Sequence, residues 1–80
     1  MQFDNNQTQI HDAFLRVFIG VSSDIIDSLD RKKSPEWDSL KHIEIIAELE
    51  ELFDLNFNTD QILAITSVES ASQILTEMRY

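Results

Sequence analysis

One glycine, Gly20, and one proline, Pro35, are all the chain offers as backbone punctuation over 80 residues. These two residue types make most tight turns and break most helices. A chain so poor in both has few ways to build the hairpins of a small sheet, and it points to helices. Cysteine is absent, so neither a disulfide framework nor a zinc-thiolate site can substitute for a core. Residues 1–80 are expected to form one domain, because roughly 150 residues per domain leaves no room for a second. A domain this short buries only about 60% of the surface its unfolded chain exposes, so a deep multi-residue catalytic cavity is not expected. The hydrophobic content of 42% is nevertheless enough to fold.

Periodicity places the helices. Ile10, Ala13, Phe14, Val17 and Phe18 recur at i, i+3, i+4, i+7 and i+8, which predicts a first helix over about residues 8–19, ended by Gly20. Residues 21–38 show no sustained period and read as a long loop, with Ile25, Ile26 and Leu29 pinning it to the core. Most connections in compact domains run about 4–6 residues, so either a short helical turn hides here or the length serves a function. The second helix reads as Ser39–Phe53. At about 100° per residue, His42, Ile45, Ile46, Leu49, Leu52 and Phe53 form a core stripe. Leu40, Ile43, Glu44, Ala47, Glu48 and Glu51 form the opposite stripe, where a purely solvating face would need neither Leu40 nor Ile43. Residues 54–58 break the pattern, and Thr59 or Asp60 is expected to cap a short third helix ending at Ala64. Thr66-Ser67-Val68-Glu69 has the form of a capping box. It opens a last helix to about Met78, with Val68, Ala71, Ile74, Leu75 and Met78 on one face. The expected fold is all-α: a small bundle of three main helices plus one short helix, with a long loop between the first and second.

Fifteen acids against six bases give a net charge of −9. That balance argues against nucleic acid, whose phosphates need a basic footprint, and against an anionic membrane surface. It favours basic protein partners found by electrostatic steering, and a monomer. Arg31-Lys32-Lys33, the only basic cluster, reads as a solvated loop. Apolar runs are too short to span a bilayer. Residues 1–9 are polar and acidic, unlike a signal peptide, and a cytoplasmic location is expected.

Classical catalytic constellations are poorly supplied. The two histidines, His11 and His42, fall on different helices, and no metal site is expected. Ser39 and His42, at i and i+3, could form a nucleophile and base, but no third group orients them and no oxyanion hole is evident. His42 therefore reads as part of the core stripe, and the chain as a non-enzyme. Ser39 itself opens a strong helix directly after Pro35-Glu36-Trp37-Asp38. A helix start exposes unpaired N–H groups and the positive end of the dipole, so a phosphate esterified to Ser39 would be held favourably. The plainer alternative is that Asp38 or Ser39 is an N-cap.

The wider pattern bears on that choice. Asp38-Ser39-Leu40 heads a helix carrying Glu44, Glu48, Glu50 and Glu51, and it resembles the prosthetic-group site of the acyl carrier protein family. The resemblance covers most of the chain: the first amphipathic helix, the long loop, the acidic second helix ending Leu52-Phe53-Asp54, the short third helix, and the junction Ile65-Thr66-Ser67-Val68-Glu69-Ser70-Ala71 into the last. It implies that a separate phosphopantetheinyl transferase, using coenzyme A and magnesium, places 4′-phosphopantetheine on Ser39, with Asp38 helping to position the serine. The arm's thiol would hold acyl groups as thioesters for acyl-activating, condensing or acyl-transferring enzymes in fatty-acid, polyketide or other specialised biosynthesis. Their docking surfaces are typically basic, matching the stripe of Leu40, Ile43, Glu44, Ala47, Glu48 and Glu51. Trp37 is either a further partner contact beside the arm or a cover for the loop against the core. An acyl chain could tuck among the helices near Phe14, Ile45, Leu49 and Leu75. The family often has glycine where Glu36 stands and an acid where Lys41 stands. With those departures the run 35–43 looks more like discrete carriers of secondary-metabolite and surface-polysaccharide pathways than like a housekeeping fatty-acid carrier. The alternative is an unmodified carrier-like module that binds a basic partner through its acidic second helix.

Overall fold

The stripe predicted for the first helix is the centre of the molecule: Ile10, Ala13, Phe14, Val17 and Phe18 are all buried. The computed structural model describes residues 2–78, with side chains from residue 7, and there is no strand among them. The leader reading of residues 1–9 falls partly outside the described residues. The helices in chain order are α1 Gln2–Val17, α2 Ser23–Ile26, α3 Ser39–Phe53, α4 Thr59–Ala64 and α5 Val68–Glu77. Helix α1 packs on α3 and α5, and α4 lies against α5. Ile45, Ile46, Leu49 and Phe53 of α3 and Ala71, Ile74 and Leu75 of α5 complete one contiguous core. No described helix is long and apolar enough to cross a membrane.

Helix α1 begins at Gln2 rather than near residue 8. Once its apolar stripe is docked, each further residue adds a hydrogen bond, and no breaker stands in the polar lead segment. Beyond its end, Gly20 takes φ +94°, a conformation glycine adopts without steric cost. The Lys41 ammonium donates to the carbonyl of Val17 at 3.1 Å, placing a positive charge at the negative end of the α1 dipole. Lys41 thus ties α3 to α1.

The long connection is ordered. Its helical turn α2 buries Ile26, while Ile25 is 50% exposed. Ile25 therefore does not pin the segment as expected: one helical turn faces inward on one side only, and Ile26 and Leu29 occupy that side. Further on, Asp30 folds residues 30–34 around itself. Its carbonyl accepts from the N–H groups of Lys33 and Ser34, and its carboxylate accepts from the N–H of Lys32. The N–H of Arg31 donates to the carbonyl of Thr66 at 2.9 Å, which anchors the connection to the start of α5.

Three further expectations shift by a residue or a face. Leu52 is 38% exposed, because it lies at the edge of the α3 stripe rather than at its centre. Helix α4 is capped by Asn58, not by Thr59 or Asp60: the Asn58 side chain accepts from the Gln61 N–H, and Gln61 returns the bond to the Asn58 N–H. Helix α5 is capped by Ser67, with Ser70 as the reciprocating residue in place of the expected Thr66 and Glu69. In both, the capping residue has extended backbone, which lets its short side chain turn back onto the third N–H of the helix.

Candidate functional site

The start of α3 is held from several sides. Trp37 is only 2% exposed. Its ring stands edge-on to Phe14 and Phe18 of α1, with centroids 5.4 and 5.3 Å away. Trp37 is therefore not a partner contact: three large rings desolvate one another there, and the indole becomes the anchor that fixes the chain two residues before Ser39. Asp38 follows as the N-cap of α3, its carboxylate accepting from the Lys41 N–H at 2.9 Å. The cap is thus Asp38, and Ser39 is relieved of that duty. Ser39 is exposed, and its hydroxyl makes no hydrogen bond among the described residues. Glu36 does not lie in the left-handed region, so the backbone there does not demand glycine.

His42 is buried one turn into α3. The Trp37 indole N–H, which can only donate, lies 3.1 Å from His42 Nδ1. Nδ1 is therefore the accepting nitrogen, and Nε2–H donates to the Ile62 carbonyl at 2.8 Å. Burial holds the His42 pKa below its ordinary value; the backbone bond to Ile62 opposes that effect and nearby Arg31 adds to it. With both ring nitrogens engaged away from Ser39, His42 has no lone pair to offer that hydroxyl. The Ser39–His42 nucleophile–base pair does not exist.

Leu40 and Ile43, at 62% and 65% exposure, face solvent together with Glu44, Ala47 and Glu51. Glu48 departs from this stripe. It is bound to Arg16 of α1 at 2.7 Å and is only partly exposed, so its charge serves helix packing. Glu44 pairs with Lys41 at 3.3 Å, which leaves Glu51 as the carboxylate of the stripe without an ion pair among the described residues. Ile19, 85% exposed beyond the end of α1, borders the same surface near Ala47 and Glu51. The helical pattern ended there and gave no signal that Ile19 would turn outward. Phe14, Ile45, Leu49 and Leu75 are packed to 1% exposure or less. The mostly apolar hollow in this region, about 270 Å³, lies instead between α3 and α4, lined by Ile43, Ile46, Ala47 and Ile62 beside His42 and Glu50.

A second arrangement was not foreseen from the sequence. His11 Nδ1 lies 3.0 Å from Asp27 Oδ1, and His11 Nε2 lies 2.9 Å from Ser23 Oγ. The three residues are brought together by the packing of α2 on α1, and no local spacing could have signalled it.

No known protein family, curated protein or solved structure matches the chain.

Proposed function

We propose that this protein is a discrete acyl carrier domain modified on Ser39. The observation that carries the reading is the Ser39 hydroxyl. It is exposed at the first position of a 15-residue helix, free of capping, and backed by an anchored Trp37, a capping Asp38 and a tethered Lys41. The residues present fit a phosphodiester at that oxygen: the start of a long helix favours negative charge, and no side chain covers the hydroxyl. 4′-Phosphopantetheine on Ser39 would supply a terminal thiol for holding acyl groups as thioesters, which the chain, having no cysteine, cannot supply itself. This chain's own part is to present Ser39 to a phosphopantetheinyl transferase and to offer Leu40, Ile43, Ala47 and Glu51 to basic surfaces of cytoplasmic acyl-activating, condensing or acyl-transferring enzymes. Tethering then raises the effective concentration of the acyl group at each docked enzyme.

Intact-protein mass spectrometry tests the reading. The chain is incubated with coenzyme A, magnesium and a broad-specificity transferase, beside Ser39→Ala. A gain of one phosphopantetheine that the variant lacks is expected. No gain with several transferases, on protein that is helical by circular dichroism, overturns it and leaves the unmodified interaction module.

A further inference from the structure

Asp27, His11 and Ser23 stand in the order carboxylate, imidazole, hydroxyl. A carboxylate can only accept, so the 3.0 Å contact assigns the proton to Nδ1. Nε2 then presents its lone pair to the Ser23 hydroxyl at 2.9 Å. This is the connectivity by which a histidine, oriented by an acid, draws the proton from an attacking serine. The imidazole is partly sheltered, at 24% exposure, while Ser23 is exposed at the surface. His11 and Asp27 also border an open cleft of about 430 Å³, lined further by Val68, Glu69 and Ser72 of α5, while Ser23 stands outside its lining. The Asp27 carboxylate beside the imidazole disfavours acyl groups that carry negative charge.

We propose that Ser23 is an acyl-accepting nucleophile, with His11 as its general base and Asp27 as the positioning residue, acting on small uncharged activated acyl donors. This site is independent of Ser39 and of the carrier reading. Ser23 Oγ attacks the carbonyl carbon of an activated ester or thioester as its proton passes to His11 Nε2. The bond from the carbonyl carbon to the leaving oxygen or sulfur then breaks, and the leaving group takes that proton. An ester on Ser23 remains. Water, deprotonated by the same nitrogen, cleaves this ester to the free acid and restores the hydroxyl.

The probe is p-nitrophenyl acetate, followed by nitrophenol release and by mapping acetyl groups onto peptides. Acetylation at Ser23 is expected to run about 100-fold faster than at exposed Ser22, a typical contribution of a positioned general base. Ser23→Ala should remove the label. His11→Ala should bring the Ser23 rate down to that of Ser22. Asp27→Asn, which keeps the side-chain shape, should also slow it by disturbing the tautomer, and it guards against a fold defect in His11→Ala. Labelling of Ser23 no faster than Ser22, or an unchanged rate in folded Asp27→Asn, would mean that the three residues only pin α2 to α1, and the proposal fails.

Discussion

The two histidines of this protein are bonded alike and equipped for opposite work. Each uses both ring nitrogens. His42 accepts from an indole and donates to a backbone carbonyl. Neither partner exchanges protons near neutral pH, so the ring is a fixed strut between the Trp37 anchor and α4. His11 lies between a carboxylate and a hydroxyl. Its partners select the other tautomer and leave a basic nitrogen facing a group that can lose a proton. Chain spacing brought only Ser39 and His42 into consideration, one helical turn apart, and His42 read as core, where the structure has it; Ser23 and His11 lie on different helices and gave no such signal. The comparison teaches that a histidine's chemistry is read from what its second nitrogen touches.

The comparison is broken most forcefully at Trp37. Trp37→Ala removes the ring that Phe14, Phe18 and His42 pack against. It should cost about 3–5 kcal/mol in urea unfolding, a large share of what a small domain has. Trp37→Phe retains much of the ring contact but deprives His42 Nδ1 of its donor. A loss of about 1–3 kcal/mol is expected; no loss would show that the indole N–H is immaterial to the strut.

Acid should weaken the His42 strut. The folded His42 pKa lies below the ordinary 6.5, so between the two values the unfolded chain binds the extra proton. The His42 contribution is complete above about 6.5 and declines as pH falls, levelling off below the folded pKa. Stability measured from pH 7 downward should therefore fall more steeply in the wild type than in His42→Gln. Parallel curves would show that burial does not perturb this ring. The smallest effect is expected at His11→Ala, about 1 kcal/mol or less, because water competes for the bonds of a partly exposed network. A loss as large as that of Trp37→Ala would make His11 a structural strut as well.

Much of the architecture was legible because helices report themselves locally. The bounds of α3 and the buried face of α1 follow from apolar spacing alone, since a helix that must hide one side repeats its hydrophobic residues every turn. The cap errors at α4 and α5 were small: Asn58 and Ser67 compete with neighbours of the same chemistry, and only backbone conformation chooses among them. The candidate attachment point was also legible, as a serine at a helix start. Its release from capping was not, because Asp38 and Ser39 are both good caps until the carboxylate is seen on the Lys41 N–H.

An all-helical chain, one core, and an acidic α3 face carrying exposed Leu40 and Ile43 were set by residue order, because periodicity and charge act over a few neighbouring residues. The fate of Trp37, the diversion of Glu48 to Arg16, and the meeting of Ser23, His11 and Asp27 were settled only when helices packed. Each depends on which atoms of distant segments come within hydrogen-bonding or van der Waals reach, and a linear pattern carries no information about that distance.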